Sequence, residues 1–224
     1  MANYIVDKNI LEKYKPAHVE LDGWNGNHFV SLVGFLFKDT RVMGIQFPFH
    51  KDFEEVNLRF YVRRKEDNQW KRGVVFIKEI VPRKLITFVA NTLFAENYET
   101  CKMSHSYSVD SKLTVEYKWK VHSKWNSLKA VAEKEKKALV AGSEEEFITE
   151  HYWGYAKVNQ TNTSEYEVKH PSWNIHRVEH FQLNCDVEEV YGREFEGPLN
   201  NLPASVFLAD GSEISVMNNR KLSQ

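Results

Sequence analysis

The sequence predicts a mainly antiparallel β protein with a few helices, an α+β chain, and three observations predict it. Two segments, Glu55 to Val62 and Lys112 to Val121, alternate between polar and apolar side chains, the period of a strand whose side chains point to opposite faces. Two apolar, β-branched runs, Val30 to Phe37 and Gly73 to Ile77, have the length of strands covered on both faces. Helical spacing is confined to short stretches between such segments.

Taken in order, Val30 to Phe37 is the first core strand. In Glu55 to Val62, residues Val56, Leu58, Phe60 and Val62 share the face built for burial, while Glu55, Asn57, Arg59 and Tyr61 share the other. Glu and Asn are poor strand formers, and a plain solvent face would be Thr and Lys, so this polar face reads as the wall of a wet cavity. Asn68 to Arg72 is a polar hairpin connection, which makes the strands on either side antiparallel neighbours. After Pro82, the residues Leu85, Phe88, Val89, Thr92 and Leu93 fall at helical spacing, and a helix is predicted over 83–94. Lys112 to Val121 is a strand with a solvent-compatible polar face. Lys129 to Val140, rich in Ala, Lys and Glu, is compatible with a helix as well as with the sheet its neighbours suggest. Ser143-Glu144-Glu145-Glu146 is a capping box that starts a short helix running to about Tyr152. Ser164 to Lys169 and Cys185 to Tyr191 read as further strands, with a connection from Gly197 to Pro203.

The chain of 224 residues shows no repeat, low-complexity tract or linker, so a single domain over 1–224 is expected. Thirty basic residues against thirty-one acidic ones leave a net charge of −1, which gives no field to draw nucleic acid or an anionic membrane. The run Lys134, Lys136, Lys137 is interleaved with Glu133 and Glu135 and is a solvated face. Met1 to Lys8 lacks a signal-peptide pattern and no stretch is long and apolar enough to span a bilayer, so a cytoplasmic protein is expected. Two cysteines, Cys101 and Cys185, make no disulfide framework.

No nucleotide-binding, zinc-protease or hydrolase-elbow motif occurs. His170, His176 and His180 lack the accompanying ligands of a metal site, and neither metal nor cofactor is expected. Cys101 beside Lys102 reads as a small buried residue rather than a nucleophile.

The segment Phe53-Glu54-Glu55-Val56-Asn57-Leu58-Arg59-Phe60-Tyr61-Val62 resembles the E-x-N-x-R-x-Y-V signature of the YqjF-like proteins, domain of unknown function 2071, in the acetoacetate decarboxylase-like superfamily. Leu21-Asp22-Gly23-Trp24-Asn25-Gly26 with Phe29 to Val33 resembles the early strand pair of that family. Gly142-Ser143 through Phe147-Ile148-Thr149-Glu150-His151-Tyr152 resembles its G-S-x-x-x-F-L-T-E-R-Y helix, with His151 in place of the Arg, and His170-Pro171-Ser172-Trp173 its H-P-x-W turn. The resemblance implies a closed, largely antiparallel β-barrel or cone enclosing a cavity, with Glu55 matching a carboxylate of the decarboxylase active site. Those decarboxylases use a Schiff-base lysine in a lysine pair; here Tyr98 and Glu99 stand where the pair is expected, and a phenol forms no Schiff base.

The expectation is therefore a protein that binds a small carboxylate- or carbonyl-containing molecule without that lysine. Glu55 and Tyr98 are its candidate catalytic groups, and Asn57, Arg59, Tyr61 and Glu99 its ligand-binding groups. The alternative from another class is a non-catalytic β-barrel interaction module whose polar strand faces solvent.

Overall fold

The computed structural model describes residues 1–40, 52–217 and 219–223. Fifteen strands among these residues are β1 (Ala2–Val6), β2 (Glu20–Leu21), β3 (His28–Phe37), β4 (Phe53–Glu66), β5 (Gln69–Val81), β6 (Tyr98–Thr100), β7 (Lys102–Val109), β8 (Leu113–Val121), β9 (Lys124–Ala132), β10 (Trp153–Lys157), β11 (Thr163–Lys169), β12 (Ile175–Asn184), β13 (Ser205–Ala209), β14 (Ser215–Val216) and β15 (Arg220–Leu222). Short helices are α1 (Lys8–Glu12), α2 (Lys84–Val89), α3 (Glu144–Thr149), α4 (Val187–Tyr191) and α5 (Arg193–Asn200), and a π-helical turn over Ala90–Phe94 extends α2.

The strands form one sheet in the order β14-β11-β10-β5-β4-β3-β1-β13-β12-β9-β8-β7, with β2, β6 and β15 paired at its sides. Pairing is antiparallel except where β10 and β6 run parallel to β5. The expected closed barrel is corrected: among the described residues the end strands β14 and β7 pair on one side only, with β11 and β8, and not with each other, so the sheet is open, and no enclosed cavity is outlined. At one end β7 presents a largely exposed, polar strand, a common way to leave an edge unpaired. That edge still curls back towards the centre, where His105 Nδ1 meets Glu54 Oε1 at 2.8 Å.

The long hairpin β4–β5 is the centre of the fold. Asp67 and Asn68 both take positive φ, 47° and 62°, as a two-residue turn of matching twist requires, so the strands run closer to the turn than the polar connection suggested. The partners stay in step from Glu66↔Gln69 to Arg59↔Phe76, then the register shifts, with Leu58 opposite Lys78 and Asn57 opposite Glu79. Ile77 is thus an extra residue, a β-bulge, and its carbonyl accepts from Asn97 Nδ2 at 2.5 Å.

Both faces of β4 are buried. Val56, Leu58, Phe60 and Val62 join Val30, Leu32, Ile80, Trp119 and Leu128 in the main core, to which α4 and α5 add Val187, Val190, Phe195 and Leu199. The strand β8 follows the predicted alternation, with Leu113 and Trp119 buried. Half of the predicted capping box forms: Glu146 N donates to Ser143 Oγ at 3.1 Å, but Glu146 Oε2 accepts from Gly142 N at 2.7 Å instead of from Ser143 N, which donates to Val140 O at 3.0 Å, and the helix stops at Thr149.

Of the two readings open for Lys129 to Val140, the sheet holds as far as Ala132, where β9 ends, because each residue from Lys129 pairs with β8 and β12. Two expectations are corrected. Cys185 to Tyr191 holds helix α4, capped by Asp186, whose side chain accepts from Glu189 N; Val187 and Val190 bury one side of its turn. Gly197 and Pro198 lie inside α5 rather than in a connection. No helix among the described residues is long and apolar enough to cross a membrane.

A buried acid cluster on the inner face of the central hairpin

The face of β4 opposite the main core carries Glu55, Asn57, Arg59 and Tyr61, and sheet register decides what joins them. Asn57 lies opposite Val33 on β3 and Glu79 on β5, and Glu79 in turn lies opposite Tyr98 on β6. Directly opposed residues share a face, so Asn57, Glu79 and Tyr98 form one row across three strands, with Glu55 two residues along.

This face is dry. Glu55 and Asn57 are each 1% exposed and Glu79 2%. Asn57 Nδ2 donates to Glu55 Oε1 at 2.8 Å, and the Tyr98 hydroxyl donates to Glu55 Oε2 at 2.9 Å. A third acid enters from the turn before β6. Ala95 takes φ 59°, which turns the chain, and Glu96 then accepts from the Tyr166 hydroxyl at 2.5 Å. Tyr166 reaches it from β11 by lying over Gly154, where a Cβ would come within 2.1–2.4 Å of Tyr166 Cζ, Cε2 and hydroxyl oxygen. The segment is fastened by Tyr98 N and Asn91 Oδ1 at 2.8 Å and by Glu79 N and Asn97 O at 3.0 Å.

Burial sets the electrostatics. It pushes the Glu55 carboxyl up to about 7, against the hydrogen bonds from Asn57 and Tyr98 and the positive charge of Arg59. Glu96 is likewise pushed up to about 7 by burial, opposed by Tyr166 and reinforced by the charge of Glu55. Glu79 rises well above the usual carboxylate range, through burial and then the charges of Glu96 and Glu55. The phenols of Tyr98 and Tyr166 are held firmly protonated by burial and the surrounding acids. Burial thus favours the protonated form of all three acids over the ionised one.

Three polar atoms of this face are buried without a hydrogen-bond partner among the described residues: Asn57 Oδ1, Glu79 Oε2 and Arg59 Nε. Arg59 makes no salt bridge with Glu55 within 4.0 Å among the described residues, and its Nη2 donates to Ile148 O at 3.3 Å. Beyond it, Tyr61 packs against Phe147 and His151 at ring separations of 5.2 and 4.7 Å, and its hydroxyl meets Ser31 Oγ at 2.5 Å. His151 sits beside Asp22, whose carboxylate accepts from Arg72 Nε at 2.8 Å.

Of the predicted site residues, Glu55, Asn57 and Tyr98 are brought together, with Arg59 and Tyr61 continuing along the strand. Glu99 is not brought in: the next residue after Tyr98 on a strand, it faces the opposite way and pairs with Lys78 Nζ at 2.9 Å. Lys102 is exposed on β7, with its Nζ 5.9 Å from the Trp125 ring centre. Cys101 is buried as expected, its thiol pushed up to about 11 by burial and Glu99. His176 and His180 lie on strand β12. The polar strand does not face solvent, which removes the premise of the interaction-module alternative. Glu79, Glu96 and Tyr166 escaped the sequence reading.

The DUF2071 family model, described as an uncharacterized conserved protein, matches residues 1–213. The chain belongs to this family. It is 27% identical over 185 residues to the uncharacterized protein YqjF of Bacillus subtilis (strain 168), covering 80% of this chain and 72% of that one. Among solved structures, acetoacetate decarboxylase from Legionella pneumophila superposes with a TM-score of 0.58 at 14% identity, covering 86% of this chain and 74% of that one. The enduracididine biosynthesis enzyme MppR complexed with pyruvate gives 0.60 at 9% identity, covering 98% and 82%. At such identities the likeness is one of fold, and this DUF2071 chain has the acetoacetate decarboxylase-like fold.

Proposed function

We propose that this DUF2071 protein binds a small molecule carrying a carboxylate or carbonyl against the buried face of β4, and moves a proton on it without a Schiff-base lysine. The observation that carries this is Glu55: fully buried, fixed by Asn57 and Tyr98, unpaired with Arg59, and poised at about 7. A carboxyl balanced there exists in both forms near neutrality, as a general acid–base group should. Arg59 would take the anionic group of the ligand. Glu55 in its ionised form would take a proton from the carbon next to a carbonyl, becoming the neutral acid as the enolate forms, and return it in the reverse step. Tyr98, protonated throughout, would turn its one hydrogen bond from Glu55, once that acid has taken the proton, to the developing oxyanion. Glu79 and Glu96 keep the surroundings proton-rich. A cavity large enough for the ligand on this face is part of the proposal, as is a cytoplasmic setting. The fold likeness to a protein complexed with pyruvate supports a short oxo acid as the first probe.

The test follows pyruvate in deuterated buffer by proton NMR. The protein is expected to speed loss of the methyl signal, and Glu55→Gln to abolish the acceleration. No acceleration and no saturation of any ligand signal with wild-type protein would refute the proposal. Borohydride added with the oxo acid is expected to leave no covalent adduct; labelling of Lys102 or Lys78 would overturn the lysine-independent route.

A further inference from the structure

The two ends of the sheet are not alike. At one end β14 offers only Ser215–Val216, 2 residues; at the other β7 offers Lys102–Val109, 8 residues. A long edge is ordinarily guarded by lysines along it, by proline or by a bulge. The register of β7 with β8 is unbroken from Lys102↔Lys120 to Val109↔Leu113, it holds no proline, and its single lysine stands at its first position. Ser104, Ser106 and Ser108 keep the edge polar without blocking another strand.

The phase of the ladder decides which backbone groups are open. Asp110 N donates to Lys112 O at 3.1 Å, so, counting back along the hairpin, Ser108, Ser106 and Ser104 turn their N–H and C=O groups towards β8. Met103, His105, Tyr107 and Val109 turn theirs outward, where no described strand meets them. Two of these residues also leave their side chains uncovered, Tyr107 at 62% exposed and Val109 at 49%.

We propose that β7 pairs antiparallel with β7 of a second copy of this chain, about a twofold axis at Ser106. In that register Met103 stands opposite Val109 of the second copy, His105 opposite Tyr107, Ser104 opposite Ser108 and Lys102 opposite Asp110, and symmetry repeats each contact. The phase fits: Met103 with Val109 and His105 with Tyr107 become hydrogen-bonded pairs, while Ser106 meets its own copy in a non-hydrogen-bonded one. Charge selects this register. Lys102 and Asp110 make no ion pair among the described residues, and here each finds the other; centring the axis on His105 instead would set Lys102 against Ser108 and His105 against itself. The second copy would brace an edge that reaches Glu54 through His105 Nδ1 at 2.8 Å, one residue from Glu55.

Sedimentation velocity over a range of protein concentrations, with circular dichroism to follow the fold, tests the pairing. The wild-type chain is expected to sediment as a dimer. Tyr107→Pro removes an outward N–H and none that β8 uses, so it should leave the spectrum unchanged and give a monomer. Lys102→Asp sets like charges opposite one another twice and should weaken the dimer about tenfold; adding Asp110→Lys to the same chain should restore it to within about threefold. Ser106→Cys reports the axis. Partners in a non-hydrogen-bonded pair have Cα atoms about 4.5 Å apart, within reach of a disulfide, so oxidation should crosslink two chains of this variant above the wild-type background, and Ser104→Cys, which faces Ser108, should not crosslink. If Tyr107→Pro does not fold, the charge reversal and the crosslink decide. A wild-type chain that stays monomeric at every concentration overturns the proposal. So does a dimer indifferent to both Tyr107→Pro and Lys102→Asp, and so does crosslinking through Ser104→Cys in place of Ser106→Cys.

Discussion

Replacing Glu55 by Gln keeps the shape of the side chain and removes its ability to ionise, so it isolates what the buried charge costs the fold. Burial raises the carboxyl from 4.5 to about 7. At about 1.4 kcal/mol per pKa unit, that difference is worth on the order of 3 kcal/mol, and with Glu55 1% exposed solvent screening takes little from it. The sign follows from proton linkage: the folded state binds the proton more tightly than the unfolded chain, so the contribution to stability is complete below pH 4.5 and is lost as the pH rises through about 7. The amide should be tolerated, since it can accept from Tyr98, and Asn57 can turn its unpartnered Oδ1 towards the new NH2 group. Urea unfolding of both proteins at intervals from pH 4.5 to pH 8.5 measures this. Near pH 4.5 the two should be similar in stability; by pH 8.5 Glu55→Gln should be the more stable by on the order of 3 kcal/mol. Parallel stability curves would show that Glu55 is not held in a low-dielectric site, and the acid–base role built on that burial would go with it.

Gly154→Ala places a Cβ within 2.1–2.4 Å of Tyr166 atoms and should cost about 1–3 kcal/mol by overpacking; in a Tyr166→Leu background the same change should cost much less, and equal losses in both would contradict the close approach. Tyr98→Phe takes the donor from Glu55 Oε2, so the Glu55 carboxyl should titrate above about 7, which carboxyl 13C chemical shifts can follow; an unmoved midpoint would remove Tyr98 from the site. Burial opposes the charge of Asp22, but His151 and the Arg72 guanidinium hold its carboxyl down to about 2, so its contribution is present above pH 3.8 and lost as the pH falls through about 2. Asp22→Asn should therefore destabilise the protein by on the order of 2 kcal/mol at pH 7 and much less at pH 2.5 in chemical denaturation, and a pH-independent difference would argue against the charge.

Strict alternation in Glu55 to Val62 was enough to find the central strand and to separate its two faces, because period two maps directly onto the pleat. It could not find Glu79, which lies within the apolar strand after Gly73 and beyond a bulge that upsets the count. Glu96 and Tyr166 come from a left-handed turn and from a strand across the sheet, and only the tertiary path over Gly154 brings them together. The same limit explains Cys185 to Tyr191: Val187 and Val190 favour a strand by local preference, yet Asp186 caps a helix there and the core takes both valines. The barrel implied by family resemblance did not close among the described residues because closure depends on how strand ends pair, which no local pattern records.

The extra residue Ile77 has a consequence for how this protein could change. Were β5 regular from Phe76 onward, the unaltered sequence would set Lys78 opposite Asn57 and turn Glu79 towards the main core. One backbone irregularity, fastened by the Asn97 side chain, therefore selects an acid over an amine for the place beside Glu55. Variation in the chemistry of related chains need not begin with the residues of the site at all; a shift in strand phase at this point would exchange one reactive group for another with every amino acid left in place.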